Sequence, residues 1–254
     1  MAAGLLLPGC TSDALNSSPL FRTRLSGPKN AVRDYWGLPQ KQDDTGEFWS
    51  TYILMAEPSQ VRERLKHENR VYLTHINTPT EVAIAGDPQA IRRVIESLNC
   101  EGFPTPFDQV IHCEAMTSEY NELVKVNTLP IQNVPENIFY SAGDYQPIPL
   151  ESDAVAHNIG KCLCQQLDFP RLINRAYEDG ARIFIETGVG GNCSRWIGET
   201  LKQKEHVTIV LNRRGVDDHT SIVRALAKLL SHRVFVDLSL LYDQGEKSII
   251  DLKG

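Results

Sequence analysis

His112 stands in Val110-Ile111-His112-Cys113-Glu114-Ala115-Met116, after an extended run and before a helical pattern. In α/β folds, strand-to-helix junctions present side chains to the crevice where ligands bind. A neutral imidazole there works as a general base near pH 7. The same placement also suits a structural histidine that bonds a nearby carbonyl. Cys113 is a poor nucleophile for it, because adjacent residues on a strand or helix point apart. Gly188-Val189-Gly190-Gly191 follows a strand and precedes a helix, as a phosphate cradle would. It lacks both the G-x-G-x-x-G spacing and the P-loop lysine, so those glycines fit a tight turn with close backbone approach. Arg22 and Arg24 lie in a loop and carry the planar fork that clamps a carboxylate, although loop arginines are commonly solvated.

Regular elements must position these groups. Trp49 to Ala56 is a β-rich run, and Pro58 to His67 is a short helical stretch opened by proline. Val71 to Ile76 and Glu81 to Ala85 are β-branched runs joined around Asn77-Thr78-Pro79-Thr80. Asp87-Pro88 opens a helix with Ile91, Val94, Ile95 and Leu98 at helical spacing, and Phe103 to Ile111 is a last extended run. That order is β-α-β-β-α-β within about 60 residues, the ferredoxin-like arrangement.

From Met116 on, helices alternate with strands. Asn137 to Ser141 reads as a short buried strand, and Asp153 to Leu167 and Pro170 to Glu178 as helices. Strand Ala181 to Glu186, helix Ser194 to Lys204, strand Val207 to Leu211 and a helix capped by Asp217-Asp218 follow. Such alternation predicts a parallel sheet covered on both faces.

Composition narrows the function classes. The 254 residues hold 26 Lys+Arg and 32 Asp+Glu, a formal net charge of −6, with no basic block to bind nucleic acid or an anionic membrane. No apolar run approaches the ~20 residues of a spanning helix. The six cysteines show no C-x-x-C spacing, which suggests no zinc site or other metal and fits reduced thiols in the cytoplasm. Met1 to Cys10 lacks the basic start and the apolar length of a signal peptide.

Three pieces stand in one order: the Asn77-x-Pro79 hairpin ending in Ala85-Gly86, the run ending at His112, and Glu186-Thr187-Gly188-Val189-Gly190. Together they resemble the malonyl/acyl-CoA:acyl carrier protein transacylase family. Ser17 to Pro28 is most similar to acyltransferase domains of polyunsaturated-fatty-acid and glycolipid-type synthases, relatives of those in polyketide synthases. The resemblance implies an α/β protein: a partial α/β-hydrolase-like parallel sheet with an inserted ferredoxin-like small subdomain. Residues 1–47 would then end the first part of the large subdomain, 48–111 form the small subdomain, and 112–254 complete the large one.

The resemblance also implies ping-pong acyl transfer from acyl-CoA or malonyl-CoA to the phosphopantetheine of an acyl carrier protein, with no bound cofactor. Ketosynthase or other synthase domains would be neighbours. His112 matches the family's histidine base, Arg22 or Arg24 its carboxylate-binding arginine, and Asn77 a residue at the edge of the cleft. Val189 stands where proline is common and Glu81 where glutamine is usual. No G-x-S-x-G elbow occurs in the sequence, and Ser118, Ser141 and Ser194 lack glycines on both sides. The chain is therefore expected to start downstream of its serine nucleophile and to be inactive alone. The alternative is a non-catalytic remnant or a carrier-protein docking module.

Overall fold

The computed structural model describes residues 10–42, 48–107 and 109–239. Residues 1–9, most of the stretch weighed above against a signal peptide, lie outside them. Two compact units form: one runs to Arg182 and takes in Trp196–Glu205, the other comprises Ile183–Arg195 and the residues from His206 on.

The first unit opens with α1 (Cys10–Ser17), a π-helical turn (Leu20–Arg24) and α2 (Asn30–Tyr35). Then come β1 (Ser50–Leu54), α3 (Pro58–Leu65), β2 (Val71–Thr78), β3 (Glu81–Gly86), α4 (Pro88–Leu98) and β4 (Gly102–Pro104). A 3-10 helix (Glu114–Glu119) leads into α5 (Tyr120–Asn127). A small hairpin of β5 (Tyr140–Ser141) and β6 (Gln146–Pro147) precedes α6 (Ser152–Cys164), β7 (Leu167–Asp168) and α7 (Phe169–Glu178).

The central sheet has five strands in the order β4-β1-β3-β2-β7, antiparallel except where β7 pairs parallel with His75 and Ile76 of β2. The fold is mixed α/β with a mostly antiparallel central sheet. The helix α4 shows why these residues take this form. The Asp87 side chain accepts from the Ala90 N–H at 2.8 Å, Pro88 fills the first turn, and Asn99 in the left-handed region ends the helix. Its inner face buries Ile91 and Val94 with Val61, Leu54 and Ile84. Each such side chain contributes roughly 1.5–3 kcal/mol by leaving water. Gly86 (φ +149) lets β3 close on the chain before β2, since a Cβ there would sit 2.0 Å from the Arg70 carbonyl oxygen.

A second core joins the polar N-terminal stretch to the His112 segment. Leu20, Leu25, Val32, Val110, Met116 and Leu123 are buried together, beside Trp49 and Tyr72. Trp36 Nε1 donates to the Tyr72 hydroxyl at 2.7 Å.

The second unit holds β8 (Ile183–Gly190), the start of α8 (Asn192–Thr200), β9 (Val207–Arg213) and α9 (Asp218–Ser231). The strands β8 and β9 pair in parallel, and Ile209, Ala225 and Leu229 form a small core. Asp217 caps α9 as its sequence suggests, accepting from the Thr220 N–H at 2.9 Å.

Three expectations differ. The extended run to Ile111 is strand only over Gly102–Pro104. Pro104 and Pro106 lack donors, and the Val110 N–H goes to the Leu25 carbonyl at 2.9 Å instead of a ladder. The strand over 137–141 shrinks to two residues of a hairpin, with Ile138 exposed. Among the described residues the long parallel pairing is β8 with β9, because the strands before them pair antiparallel through short connections.

Candidate active site

His112 follows no strand; it sits in a loop at φ +58, a conformation few side-chain-bearing residues adopt. The end of α6 holds it there. The last carbonyls of a helix have no partner within it, and two of them serve His112. The His112 N–H donates to the Leu163 carbonyl at 2.7 Å, and Nδ1 meets the Cys162 carbonyl at 2.6 Å. A carbonyl only accepts, so Nδ1 carries the proton and Nε2 keeps its lone pair. Among the described residues nothing bonds Nε2. His112 is buried, and burial lowers its pKa below the ordinary 6.5 while the Cys162 carbonyl opposes that shift. The result is a neutral imidazole with one fixed nitrogen and one able to take a proton.

His75 of β2 packs edge-to-face on this ring, with centroids 4.5 Å apart and planes at 71°. Burial foremost, and the neighbouring imidazole after it, push His75 down to about 3. Sequence reasoning missed His75. Its signal was a lone polar ring inside the apolar run Val71 to Ile76.

The thiols nearby are not activated. Burial pushes Cys113 up to about 12, and Cys162, with Sγ 3.9 Å from His112 Nδ1, is also raised by burial. The serines are engaged elsewhere or buried. The Ser118 hydroxyl donates to Glu119 at 2.9 Å, Ser141 Oγ accepts from the Gly143 N–H at 2.9 Å, and Ser194 is buried at the start of α8.

The two arginines expected in a loop stand instead on the π-helical turn Leu20–Arg24, and their surroundings differ. Arg24 forks onto buried Glu119, with Nε 3.1 Å from Oε2, and its Nη1 lies 2.7 Å from Asp34. Those two carboxylates hold its guanidinium charged. Arg22 is exposed and, among the described residues, donates to the Asn16 carbonyl at 2.7 Å. Glu119 follows His112 by seven residues, so the Arg24 pair ties the π-helical turn Leu20–Arg24 to the segment carrying the histidine. Asn77 is buried in β2 and donates from Nδ2 to Glu81 Oε1 at 3.0 Å; the same oxygen accepts from Trp196 Nε1 at 2.9 Å. Asn77 therefore braces the hairpin. Arg33, not singled out by its sequence, is buried with its guanidinium 4.1 Å over the Phe48 ring.

The glycine-rich stretch is not the expected tight turn: Gly188, Val189 and Gly190 continue β8, and an acid of the same strand meets the helix that follows. Glu186 accepts from the Cys193 N–H at 3.3 Å and the Ser194 N–H at 2.7 Å, which places a carboxylate at the start of α8. A cavity of about 520 Å³ in the second unit is lined by Gly190, Ser194, Arg213, Arg224 and Lys228, and none of the sequence-predicted site residues lines it. Among the described residues no cluster of His, Cys, Asp or Glu is able to hold a metal ion, and no helix is long and apolar enough to cross a membrane.

Fold and site thus define a mixed α/β protein built around a carbonyl-anchored, neutral histidine. No family model matches the chain. It is 28% identical over 233 residues to a polyunsaturated fatty acid synthase polypeptide of Thraustochytrium sp., covering 87% of this chain and 11% of that protein. Among solved structures it is similar to the acyltransferase domain from module 8 of the salinomycin polyketide synthase, at a TM-score of 0.70 and 19% identity, with 92% of this chain and 52% of that one covered. It is also similar to a malonyl-transacylase solved with its type II polyketide synthase acyl-carrier protein, at a TM-score of 0.67 and 14% identity, with 89% and 67% covered. The chain is thus similar to a polyunsaturated fatty acid synthase polypeptide in sequence and to polyketide synthase acyltransferase domains and malonyl-CoA:acyl carrier protein transacylases in fold. The chain spans about half to two thirds of these solved structures and about a tenth of the curated relative.

Proposed function

We propose that this chain is part of an acyltransferase domain that loads an acyl group from acyl-CoA or malonyl-CoA onto the phosphopantetheine of an acyl carrier protein, in the cytoplasm and beside ketosynthase or other synthase domains. The observation that carries the reading is the His112 imidazole, with Nδ1–H bound to the Cys162 carbonyl and Nε2 left free. In the first half-reaction Nε2 takes the proton of a serine hydroxyl as its oxygen attacks the thioester carbonyl. The CoA sulfur leaves and receives that proton, and the acyl group stays on serine. The pantetheine thiol then runs the same steps in reverse order, taking the acyl group and returning the proton to serine.

In this reading β1-α3-β2-β3-α4-β4, with strand order β4-β1-β3-β2, is the ferredoxin-like small subdomain, over residues 48–111. The strands β8 and β9 are part of a hydrolase-like parallel sheet. Arg22, which has no acidic partner among the described residues, is the better placed of the two arginines to meet a malonyl carboxylate. Asn77 supports the cleft edge through Glu81.

The 254 residues contain no G-x-S-x-G, so the nucleophile comes from outside this sequence. The purified chain incubated with radiolabelled malonyl-CoA should take no stable label. A full-length protein containing the serine should transfer, and its His112→Ala variant should be slower by about 10²–10⁴-fold. Label on the chain alone would point to another nucleophile, and unimpaired transfer in the variant would remove His112 from the chemistry. Carrier-protein binding without any transfer by the full-length protein would favour the docking-module alternative.

A further inference from the structure

The strand β2 gives its one half-buried position to an imidazole that the acyl-transfer scheme does not use. Among the described residues the one titratable group that acts on His75 is the His112 ring. Its Nδ1 lies 3.0 Å from Thr74 Oγ1, and the Thr74 hydroxyl donates its only hydrogen to the Ala83 carbonyl at 3.2 Å. With that hydrogen on Ala83, Thr74 Oγ1 accepts from His75 Nδ1–H, and burial disfavours a second proton on the ring. His112 is fixed in the same Nδ1–H form by the Cys162 carbonyl. The two neutral rings meet edge-to-face at 4.5 Å, the geometry that aromatic pairs prefer.

We infer that His75 is a positioning residue for His112: its ring walls one side of the imidazole, fixes the ring plane, and keeps Nε2 the free nitrogen. The groups facing the pair are few. From α6 the Cys162 thiol approaches Nδ1, and Cys113 lies beside His112 in its own loop, both held neutral by burial. Among the described residues no carboxylate or cation acts on either ring. Nothing among them therefore compensates a charge on His75, and a second proton on the pair would meet the first across 4.5 Å. His75 thus excludes water from His112 without offering it a counter-charge, which keeps the base deprotonated below the ordinary histidine range.

The inference rests on His112 being the base, and its test needs no turnover. Imidazole-nitrogen NMR on the 254-residue chain reports the tautomer and titration of each histidine. In the native chain His112 should be Nδ1–H and titrate below the ordinary histidine range. In His75→Asn its titration midpoint should rise by half a pH unit or more, with the Nε2–H form appearing. His75→Phe, which keeps a ring, should leave His112 low and Nδ1–H, and it serves if the asparagine variant fails to fold. An unmoved His112 in His75→Asn, or a raised one in His75→Phe, overturns the inference. In the full-length enzyme His75→Asn should lower kcat about tenfold, with the KM for acyl-CoA unchanged. A shifted His112 together with undiminished transfer in His112→Ala would overturn the acyl-transfer reading and leave the coupling of the two rings in place.

Discussion

Acidification between pH 7.5 and 5 should destabilise this protein through His75, in a range above where most carboxylates titrate. In the unfolded chain the imidazole takes a proton near 6.5, whereas in the folded protein burial and the adjoining His112 push it down to about 3. Below pH 6.5 the unfolded state therefore binds more protons than the native one, and stability falls as pH falls. The contribution is fully present above 6.5 and is lost progressively down to about 3. Each pH unit in that window removes about 1.4 kcal/mol, so a drop to pH 5 takes about 2 kcal/mol from His75 alone. His112, also lowered by burial, adds in the same direction. Against a total of roughly 5–15 kcal/mol this is a large fraction. Urea unfolding followed by circular dichroism at pH 7.5, 6 and 5 measures it. The His75→Asn variant, whatever its stability at pH 7.5, should lose about 2 kcal/mol less than the native chain on going to pH 5. Parallel losses in the two proteins would show that His75 is not held neutral, which refutes the pairing of two neutral rings.

Gly86→Ala should destabilise by roughly 1–3 kcal/mol, because the new Cβ would meet the Arg70 carbonyl at 2.0 Å in a backbone conformation that favours glycine; thermal unfolding measures it. Arg22→Ala in the full-length enzyme should depress malonyl loading by about tenfold or more relative to acetyl loading, the worth of a charge-assisted hydrogen bond. Equal loss of both would assign Arg22 to structure.

Local signals carried most of the elements. Asp87-Pro88 followed by Ile91 and Val94 at helical spacing is a complete instruction for α4, cap and buried face together. Asp217 and the run after it do the same for α9. What a strand pairs with is not a local property. The apolar run at Val71 reads the same whether its neighbours are parallel or antiparallel, and here it pairs one way with β3 and the other with β7. The run to Ile111 departs from its pattern for a related reason, since Pro106 and the bond from the Val110 N–H to Leu25 remove it from any ladder. At the site, the histidine itself was legible from its place before a helix. Its anchors were not, because Cys162 and Leu163 come from a helix fifty residues further on. Nor was Glu119, whose capture of Arg24 leaves Arg22 the more open of two arginines that the sequence presents alike.

The anchors also decide which of two adjoining imidazoles takes the first proton. Rings 4.5 Å apart titrate as a pair, and the first proton belongs to whichever nitrogen environment supports a cation. His112 Nδ1 points at a carbonyl of the last turn of α6, where unpaired carbonyls concentrate partial negative charge and favour an imidazolium. His75 Nδ1 points at a neutral hydroxyl whose hydrogen is already committed to Ala83. Support for the charged form thus lies on one side only, and the first proton goes to His112 while His75 stays neutral to about 3. Exchanging the two anchors would move the proton to a ring set within the sheet. Placing the helix end beside His112 keeps it on the loop that the Arg24–Glu119 pair ties down, with Nε2 free to receive it.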